Sequence, residues 1–134
     1  MGTTKFTKGT KMSQDKFSNQ VIGIAIEVHK ILGPGLLESA YESCLSHELN
    51  EARLAFRKQA SIPVVYKHTN LDCGFRADLI IENNLLIELK AVEKILPIHE
   101  AQILTYLKLT DIKFGLILNF NSILLKNGIR RFIL

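Results

Sequence analysis

The sequence of 134 residues lacks several features that mark whole classes of protein. It has only two cysteines, Cys44 and Cys73, which are too few for a disulfide framework and favour a reducing, cytoplasmic location. No apolar run reaches the roughly 18 residues that a membrane-spanning helix needs, so we expect no membrane partner. The first residues have no apolar core, and we expect no secretory signal. What remains, 47% hydrophobic and 22% charged residues, is typical of a globular domain.

The excess positive charge is concentrated near the start of the chain. Residues 1–20 hold four lysines and one aspartate, and thus three of the four net charges at pH 7. We expect residues 1–16 to form a disordered basic tail and residues 17–134 to form a single domain. Such a tail can contact phosphates or only keep the protein soluble, and net charge alone does not identify a DNA-binding protein.

Hydrophobic periodicity predicts a mixed α+β domain. An apolar face at helical spacing begins at Phe17, and Gly33-Pro34-Gly35 ends that helix. The nearly continuous apolar run FGLILNF is typical of a strand covered on both faces. In chain order we predict helices over 17–32 and 36–52, strands over 60–67, 71–82 and 85–92 with a turn at 68–70, a helix over 98–109, and strands over 114–120 and 129–134.

Three charged residues interrupt the two central strands, where a buried strand is normally apolar. They are Asp78, Glu88 and Lys90, in the stretch FRADLIIENNLLIELKAV. Burying an unpaired charge is unfavourable by several kcal/mol. Glu88 and Lys90 are two residues apart and therefore project from the same face of a strand. These residues form either an exposed polar face with a cross-strand ion pair or a functional site, and the apolar residues on both sides weigh against an exposed face.

The length of the turn between these strands decides whether the two acids meet. A two-residue loop would place Asp78 opposite Leu89, so that Asp78 and Glu88 would point apart. A three-residue loop from Glu82 to Asn84 places Asp78 opposite Glu88, with Asn84 in the left-handed conformation that such loops need. We predict the three-residue loop or an equivalent bulge.

A site built from Asp78 and Glu88 would suit a divalent metal ion, because converging carboxylates repel each other unless a cation or a proton intervenes. Oxygen ligands without a Cys or His cluster favour Mg²⁺ or Mn²⁺ over Zn²⁺. Glu38, in the first turn of the second helix, either supplies a third carboxylate or only interacts with the helix dipole. A water activated by the metal would attack a phosphodiester, and Lys90 would orient that water and offset developing negative charge.

These residues also resemble the motifs of a known enzyme superfamily. Asp78 followed by the run ELK at residues 88–90 is similar to the signature of the PD-(D/E)XK nucleases. The run GLLESAY at residues 35–41 resembles the motif that names the GxxExxY family within this superfamily. The run QILTY at residues 102–106 resembles the QxxxY motif of its RecB-like exonucleases. The resemblance extends from about Gln20 to the last residue. Four motifs in the right order along the chain, namely the GxxExxY run, the strand acid, the ExK run and the QxxxY run, are far more specific than any one of them.

The resemblance implies a restriction-endonuclease-like fold, with an αβββαβ core and a mixed central sheet flanked by helices. The metal ligands that it implies are Glu38, Asp78, Glu88 and the backbone carbonyl of Leu89. The catalytic residues that it implies are Lys90, Gln102 and Tyr106. One departure is Ala77, which stands where the superfamily's name has proline, but that position is not a ligand.

Basic residues near the motifs are candidates for DNA contacts, although each alone is more often only solvated. They are Arg76, Lys94 and Lys108. The function that follows is a Mg²⁺-dependent deoxyribonuclease without a nucleotide cofactor. The alternative is a non-catalytic nucleic-acid-binding or protein-interaction domain that keeps the nuclease fold. In so small a domain, specificity would have to come from DNA structure, from a homodimer or from another partner.

Overall fold

The computed structural model describes the backbone of residues 3–134 and the side chains from residue 14 onward. Its first helix, α1, spans Thr3–Leu32 and therefore begins before Phe17, where we predicted its start. The residues before Phe17 include no proline, so the sequence has no strong signal to end the helix there. Most of the predicted tail, residues 1–16, lies outside the part whose side chains are described, and its disorder stays a prediction. No helix within the described part is long and apolar enough to cross a membrane.

A five-stranded mixed sheet forms the centre of the fold. The elements after α1 are α2 (Glu38–Glu51), β1 (Phe56–Ser61), β2 (Val64–Tyr66), β3 (Thr69–Leu71), β4 (Arg76–Ile81), β5 (Leu85–Lys90), α3 (Pro97–Thr110), β6 (Phe114–Asn119), a 3₁₀ turn (Leu125–Gly128) and β7 (Ile129–Ile133). The strand order in the sheet is β1-β4-β5-β6-β7. Only the β5–β6 pair of this sheet is parallel, and α3 supplies the crossover that a parallel pair requires.

Helices cover both faces of this sheet. On one face, α1 and α2 pack over a buried core that includes Leu79 and Ile87. On the other face, α3 packs through Leu107 onto a second core that includes Ile80 and Leu86. The central strands are therefore apolar toward both faces, which explains their nearly continuous apolar sequence. This architecture confirms the predicted restriction-endonuclease-like α+β fold.

The predicted strands over 60–67 and 71–82 are wrong in their bounds, because each is broken in two. The first breaks at Pro63, which has no N–H to donate to a ladder. The second breaks over residues 72–75, around Gly74, whose N–H donates to Asp72 Oδ1 at 3.0 Å and whose φ of +78° is left-handed. As a result β2 and β3 form a separate two-stranded ribbon. The left-handed residues of its turn are Lys67 and His68, so the predicted turn at 68–70 is wrong in its bounds, and Thr69 already begins β3.

The 3₁₀ turn before β7 contains a glycine that has no room for a side chain. This allows us to predict how two glycine substitutions affect stability. A Cβ at Gly128 would overlap Ser122 Oγ and would lie 2.5 Å from the carbonyl oxygen of Asn119. We expect Gly128→Ala to lower the free energy of unfolding by about 1–3 kcal/mol in urea denaturation. The control is Gly23→Ala in α1, where a Cβ meets nothing within 4 Å, and we expect this helix substitution to raise stability by about 0.5–1 kcal/mol. Equal stability of the two variants would contradict this packing.

Candidate active site

The turn between β4 and β5 has three residues, as predicted. Ile81 pairs with Leu85, and this register continues to place Asp78 opposite Glu88. The prediction that Asn84 is left-handed is wrong, because the left-handed residues are the two before it, with φ of +55° and +51°. The N–H of Asn84 donates to Ile81 O at 2.9 Å, so Glu82 and Asn83 are the central residues of a tight turn. Asn84 is the additional residue that makes the loop three residues long.

Contacts with β1 and with Ala55, the residue before it, explain why Glu82 and Asn83 adopt the left-handed conformation at this turn. The N–H of Glu82 donates to Ala55 O at 2.8 Å, and Glu82 Oε2 accepts the N–H of Ala55 at 2.6 Å. Asn83 Oδ1 accepts a hydrogen bond from Arg57 at 3.2 Å. The turn is therefore held by its neighbour strand, and its length is fixed together with its position.

The two strand acids are each anchored by a backbone amide of the opposite strand. Asp78 N–H donates to Glu88 Oε2 at 2.9 Å, and Leu89 N–H donates to Asp78 Oδ2 at 2.7 Å. The backbone ladder between β4 and β5 ends at Leu79 and Ile87, so the carboxylates take the places of carbonyl acceptors just beyond it. Both acids thus converge where the two strands separate.

Glu38 comes to the same region from α2, through a clamp made by the residues around it. Gly35, with φ of +96°, turns the chain into the helix. The Tyr41 hydroxyl accepts the N–H of Leu36 at 3.1 Å and donates to Gly33 O at 2.6 Å. Glu38 is the first residue of α2, and its Oε2 accepts the N–H of Ala91 at 3.2 Å, one residue past the end of β5. The GxxExxY spacing therefore has a physical basis, because the glycine and the tyrosine fix the loop that presents the acid.

The acids face a small cleft but do not form a closed metal cage. Glu38 and Asp78 line a cleft of ≈190 Å³ together with Ser39, Glu42, Gln59 and Leu89. Glu88 is not among the lining residues, since its side chain is only 5% exposed. Within the described part of the chain, no three His, Cys, Asp or Glu side chains are grouped closely enough to hold a metal ion together. Asp78 and Glu88 are joined through backbone amides of each other's strands, and the charge of Glu38 also acts to raise the pKa of Glu88.

The burial of Glu88 changes its acidity. The pKa of Glu88 is raised from 4.5 to about 7, chiefly by desolvation and next by the neighbouring charge of Asp78. The hydrogen bond from the backbone of Asp78 and the charge of Lys90 lower the pKa but do not cancel the rise. At neutral pH a proton therefore competes for this carboxylate, as a cation would.

Lys90 ends β5, half-buried, two residues after Glu88 on the same side of the strand. Among the described side chains, no ion pair within 4.0 Å joins Lys90 to a carboxylate. The backbone around it is fixed, because its carbonyl accepts the N–H of Phe120 at 2.8 Å. The side chain of Asn119 also bonds both the N–H and the carbonyl of Val92, at 3.1 and 2.8 Å. Within the described part of the chain, the charge of Lys90 acts on Glu88 without a direct ion pair that would neutralise it.

Comparison with known proteins agrees with this geometry. Residues 15–132 match the family model of the PD-(D/E)XK nuclease superfamily. The chain belongs to this superfamily. No curated protein and no solved structure matches the chain significantly. Membership in the superfamily makes the chain a nuclease-like domain, for which nucleic acid is the expected substrate class and a divalent metal is the typical cofactor.

The last motif that suggested the superfamily lies on α3 and places one of its two residues beside the acids. Tyr106 is buried, and its pKa is raised above the usual value by desolvation and then by the charges of Glu88 and Asp78. Its hydroxyl therefore stays protonated at neutral pH and can donate a hydrogen bond. Gln102 lies one helical turn earlier and is exposed.

The three basic residues that we predicted to contact the substrate differ in how far other side chains already engage them. Arg76 begins β4, two residues before Asp78, and is partly engaged by Asp72 at 3.9 Å and by Ser61 Oγ at 3.4 Å. Lys94 is exposed on the segment between β5 and α3, and Lys108 is exposed on α3. All three are accessible to a polyanion, and their role in binding stays a prediction.

The sequence analysis missed two residues that lie beside the acids, Gln59 and Glu42. Gln59 Nε2 donates to Glu42 Oε1 at 2.7 Å and to Asp78 Oδ1 at 3.2 Å, and so connects α2 with β4. Glu42 lies four residues after Glu38, so the helical period could have found it. No sequence signal marks Gln59, because it reaches Asp78 from a left-handed position within β1, with φ of +49°.

The backbone of Gln59 is strained, and this predicts an unusual order of stability. A left-handed non-glycine residue is unfavourable by roughly 1–2 kcal/mol, and such strain is often retained at functional sites. Both Gln59→Ala and Gln59→Gly remove the two hydrogen bonds, but only glycine relieves the strain. We expect Gln59→Gly to be more stable than Gln59→Ala by about 1 kcal/mol in urea denaturation. Greater stability of the alanine variant would contradict this conformation.

Proposed function

We propose that this domain is a metal-dependent deoxyribonuclease that hydrolyses phosphodiester bonds, and that within the superfamily it belongs to the GxxExxY group. The observation that supports this proposal best is the register of the β4–β5 hairpin. It places Asp78 opposite Glu88, with Lys90 on the same side of the strand. These are the strand groups that the resemblance to the superfamily's signature implies for metal binding and catalysis.

The burial of Glu88 argues against the alternative of an exposed polar strand face with a cross-strand ion pair. An exposed face would leave both acids in water, whereas Glu88 is 5% exposed and Asp78 is half-buried. A cross-strand pair would put Lys90 in contact with an acid, and none lies within 4.0 Å of it among residues 14–134. A buried acid without an ion-pair partner is unfavourable for stability, and such groups are concentrated at functional sites.

The donor set fits a hard divalent cation, Mg²⁺ or Mn²⁺. All the side-chain donors are carboxylate oxygens, which such cations prefer. The residues that would hold the cation are Asp78 and Glu88, with Glu38 and the carbonyl of Leu89 completing the set. A bound cation would supply Lewis-acid stabilisation of the phosphate and lower the pKa of a water nucleophile.

The remaining groups have separate roles in this proposal. The half-buried ammonium of Lys90 stabilises the negative charge that develops on the phosphate oxygens, an effect that is strong where water is largely excluded. The protonated hydroxyl of Tyr106, with the exposed amide of Gln102 on the same helix, donates hydrogen bonds that orient the substrate. Arg76, Lys94 and Lys108 bind backbone phosphates on either side.

One observation favours a second candidate, a nuclease-fold domain that binds nucleic acid without cutting it. Glu38 does not form a three-acid group with Asp78 and Glu88 in the described part of the chain. A domain whose acids never close around a cation would still present the same basic residues to a nucleic acid. The two candidates therefore differ in the chemistry at the acids and not in the binding surface.

A cleavage assay separates the two candidates. Linear, nicked and branched DNA would be incubated with the purified protein in Mg²⁺, Mn²⁺ or EDTA. We expect cleavage that requires a divalent cation and is lost in Asp78→Asn, which keeps the size of the side chain but weakens its affinity for metal. Absence of cleavage from every substrate, with DNA binding intact, would favour the binding domain instead.

A further inference from the structure

An exposed aromatic ring lies beside the acids and has no role in the chemistry described so far. Phe75 is 42% exposed and precedes Asp78 by three residues. Its ring is centred 6.2 Å from that of Tyr106, at an angle of 43°. Tyr106 packs in the same buried cluster as Ile80 and Leu86, and Asp78 and Glu88 lie two residues from these on the same face of β4 and β5, so the tyrosine lies near the acids. Phe75 is therefore one ring away from them, at the edge of the site.

The backbone holds Phe75 firmly, although its ring is not used to fill the core. Its carbonyl accepts the N–H of Ile62 and Arg76 Nη1, each at 3.0 Å. Phe75 is absent from both buried clusters of the sheet. A large ring in a fixed position, half in water and half against a second aromatic ring, offers a flat apolar face toward solvent.

We propose that the ring of Phe75 is a stacking platform for an unpaired base of the DNA strand that reaches the acids. This inference rests on the proposed nuclease function and names the substrate class as single-stranded DNA or a frayed or flapped DNA end. Within a duplex both faces of a base are covered by its neighbours, so only a base outside the stack can lie on the ring. Stacking on an aromatic side chain is tolerant of sequence, because every base has a π-face.

The competing explanation is that Phe75 only covers Tyr106 with apolar surface. Leucine would provide such cover almost as well but has no aromatic face. Phe75→Leu therefore separates stacking from cover, and Phe75→Trp is the variant that should retain stacking. The matched control is Tyr66→Leu, which removes a ring that is 59% exposed on the β2–β3 ribbon, where Lys67 lies over it.

The test uses a short single-stranded DNA that contains 2-aminopurine, whose fluorescence is quenched when it stacks on an aromatic ring. Binding is measured in EDTA, so that the oligonucleotide is not cut, and a duplex of the same length is titrated in parallel. We expect wild type, Phe75→Trp and Tyr66→Leu to quench the probe. We expect Phe75→Leu to lose the quench and to bind the single strand roughly 5- to 150-fold more weakly, the equivalent of about 1–3 kcal/mol per stacked base. Its affinity for the duplex should be unchanged.

Three outcomes would overturn the stacking proposal. They are an unchanged quench in Phe75→Leu, an equal loss of affinity for single strand and duplex, and a failure of the wild type to bind the single strand. The nuclease proposal is tested separately, by measuring cleavage of the same oligonucleotide in Mn²⁺. Quenching that depends on Phe75, without any cleavage, would support the stacking proposal and refute hydrolysis. Cleavage together with a quench that Phe75→Leu does not change would support hydrolysis and refute the stacking proposal.

Discussion

Replacing Lys90 by methionine is expected to lower the rate of DNA hydrolysis by roughly 10²- to 10³-fold or more, the loss typical of removing one preorganised electrostatic group. Methionine keeps the apolar stem and the packing of a half-buried side chain and removes only the charge. DNA binding should change little, because exposed basic residues supply most of the attraction to phosphates. Initial rates in Mn²⁺, with binding measured in EDTA, separate the two effects.

The matched control for this experiment is Lys113→Met. Lys113 is an exposed lysine just before β6, paired with Asp111 at 3.7 Å. Since β5 and β6 are parallel, it lies at the opposite end of the sheet from Lys90. We expect this variant to cut DNA at the wild-type rate. If Lys90→Met also cut at the wild-type rate, the role that we propose for the lysine would be wrong.

The second large effect is a dependence of stability on pH in the metal-free protein. The pKa of Glu88 is about 7 in the folded protein, against 4.5 when the group is unperturbed. Between these values the folded state binds a proton that the unfolded state releases, so the free energy of unfolding falls as the pH rises. From pH 5 to pH 8 this one group should remove on the order of 3 kcal/mol of stability. Urea denaturation in EDTA at several pH values measures the slope.

Glu88→Gln tests the origin of this slope, because glutamine resembles the protonated acid at every pH. We expect it to be more stable than the wild type at pH 8 and nearly equal at pH 5. The control is Glu51→Gln, an exposed position at the end of α2, which should keep the wild-type slope. Mn²⁺ should stabilise the wild type most at pH 8, where the cation does not compete with a proton, and should have little effect on Glu88→Gln. A flat wild-type profile would contradict the buried acid.

Physical constraints made the hairpin predictable from sequence. Two acids can share a site only if the turn has an odd length, and the structure has the three-residue turn that follows from this argument. The conformation inside the turn was not predictable from the preference of asparagine for left-handed geometry. It depends on Ala55, which is distant in sequence and forms two hydrogen bonds with Glu82. Local preference was therefore outweighed by contact with a neighbouring strand.

Contacts between elements also explain what else the sequence did not reveal. The helical period could have pointed to Glu42, but its partner Gln59 reaches Asp78 only because β1 lies beside β4 and its backbone is left-handed there. The break near Gly74 depends on a side-chain contact from Asp72 that apolar patterns do not report. The fold class and the candidate acids could be predicted from hydrophobic and charge patterns in the sequence. The residues that position the acids depend on packing between elements, which these patterns do not report.

The anchoring of the two acids by backbone amides has a consequence for how this site tolerates genetic change. The donors at Asp78 and Leu89 belong to the main chain, so no single substitution except proline removes them. Their alignment depends on how many residues separate the strands and on the contacts that hold the turn. Inserting or deleting one codon within residues 82–84 would shift the register and turn one acid to the other face of the sheet. The site should therefore tolerate replacements in this turn better than changes in its length.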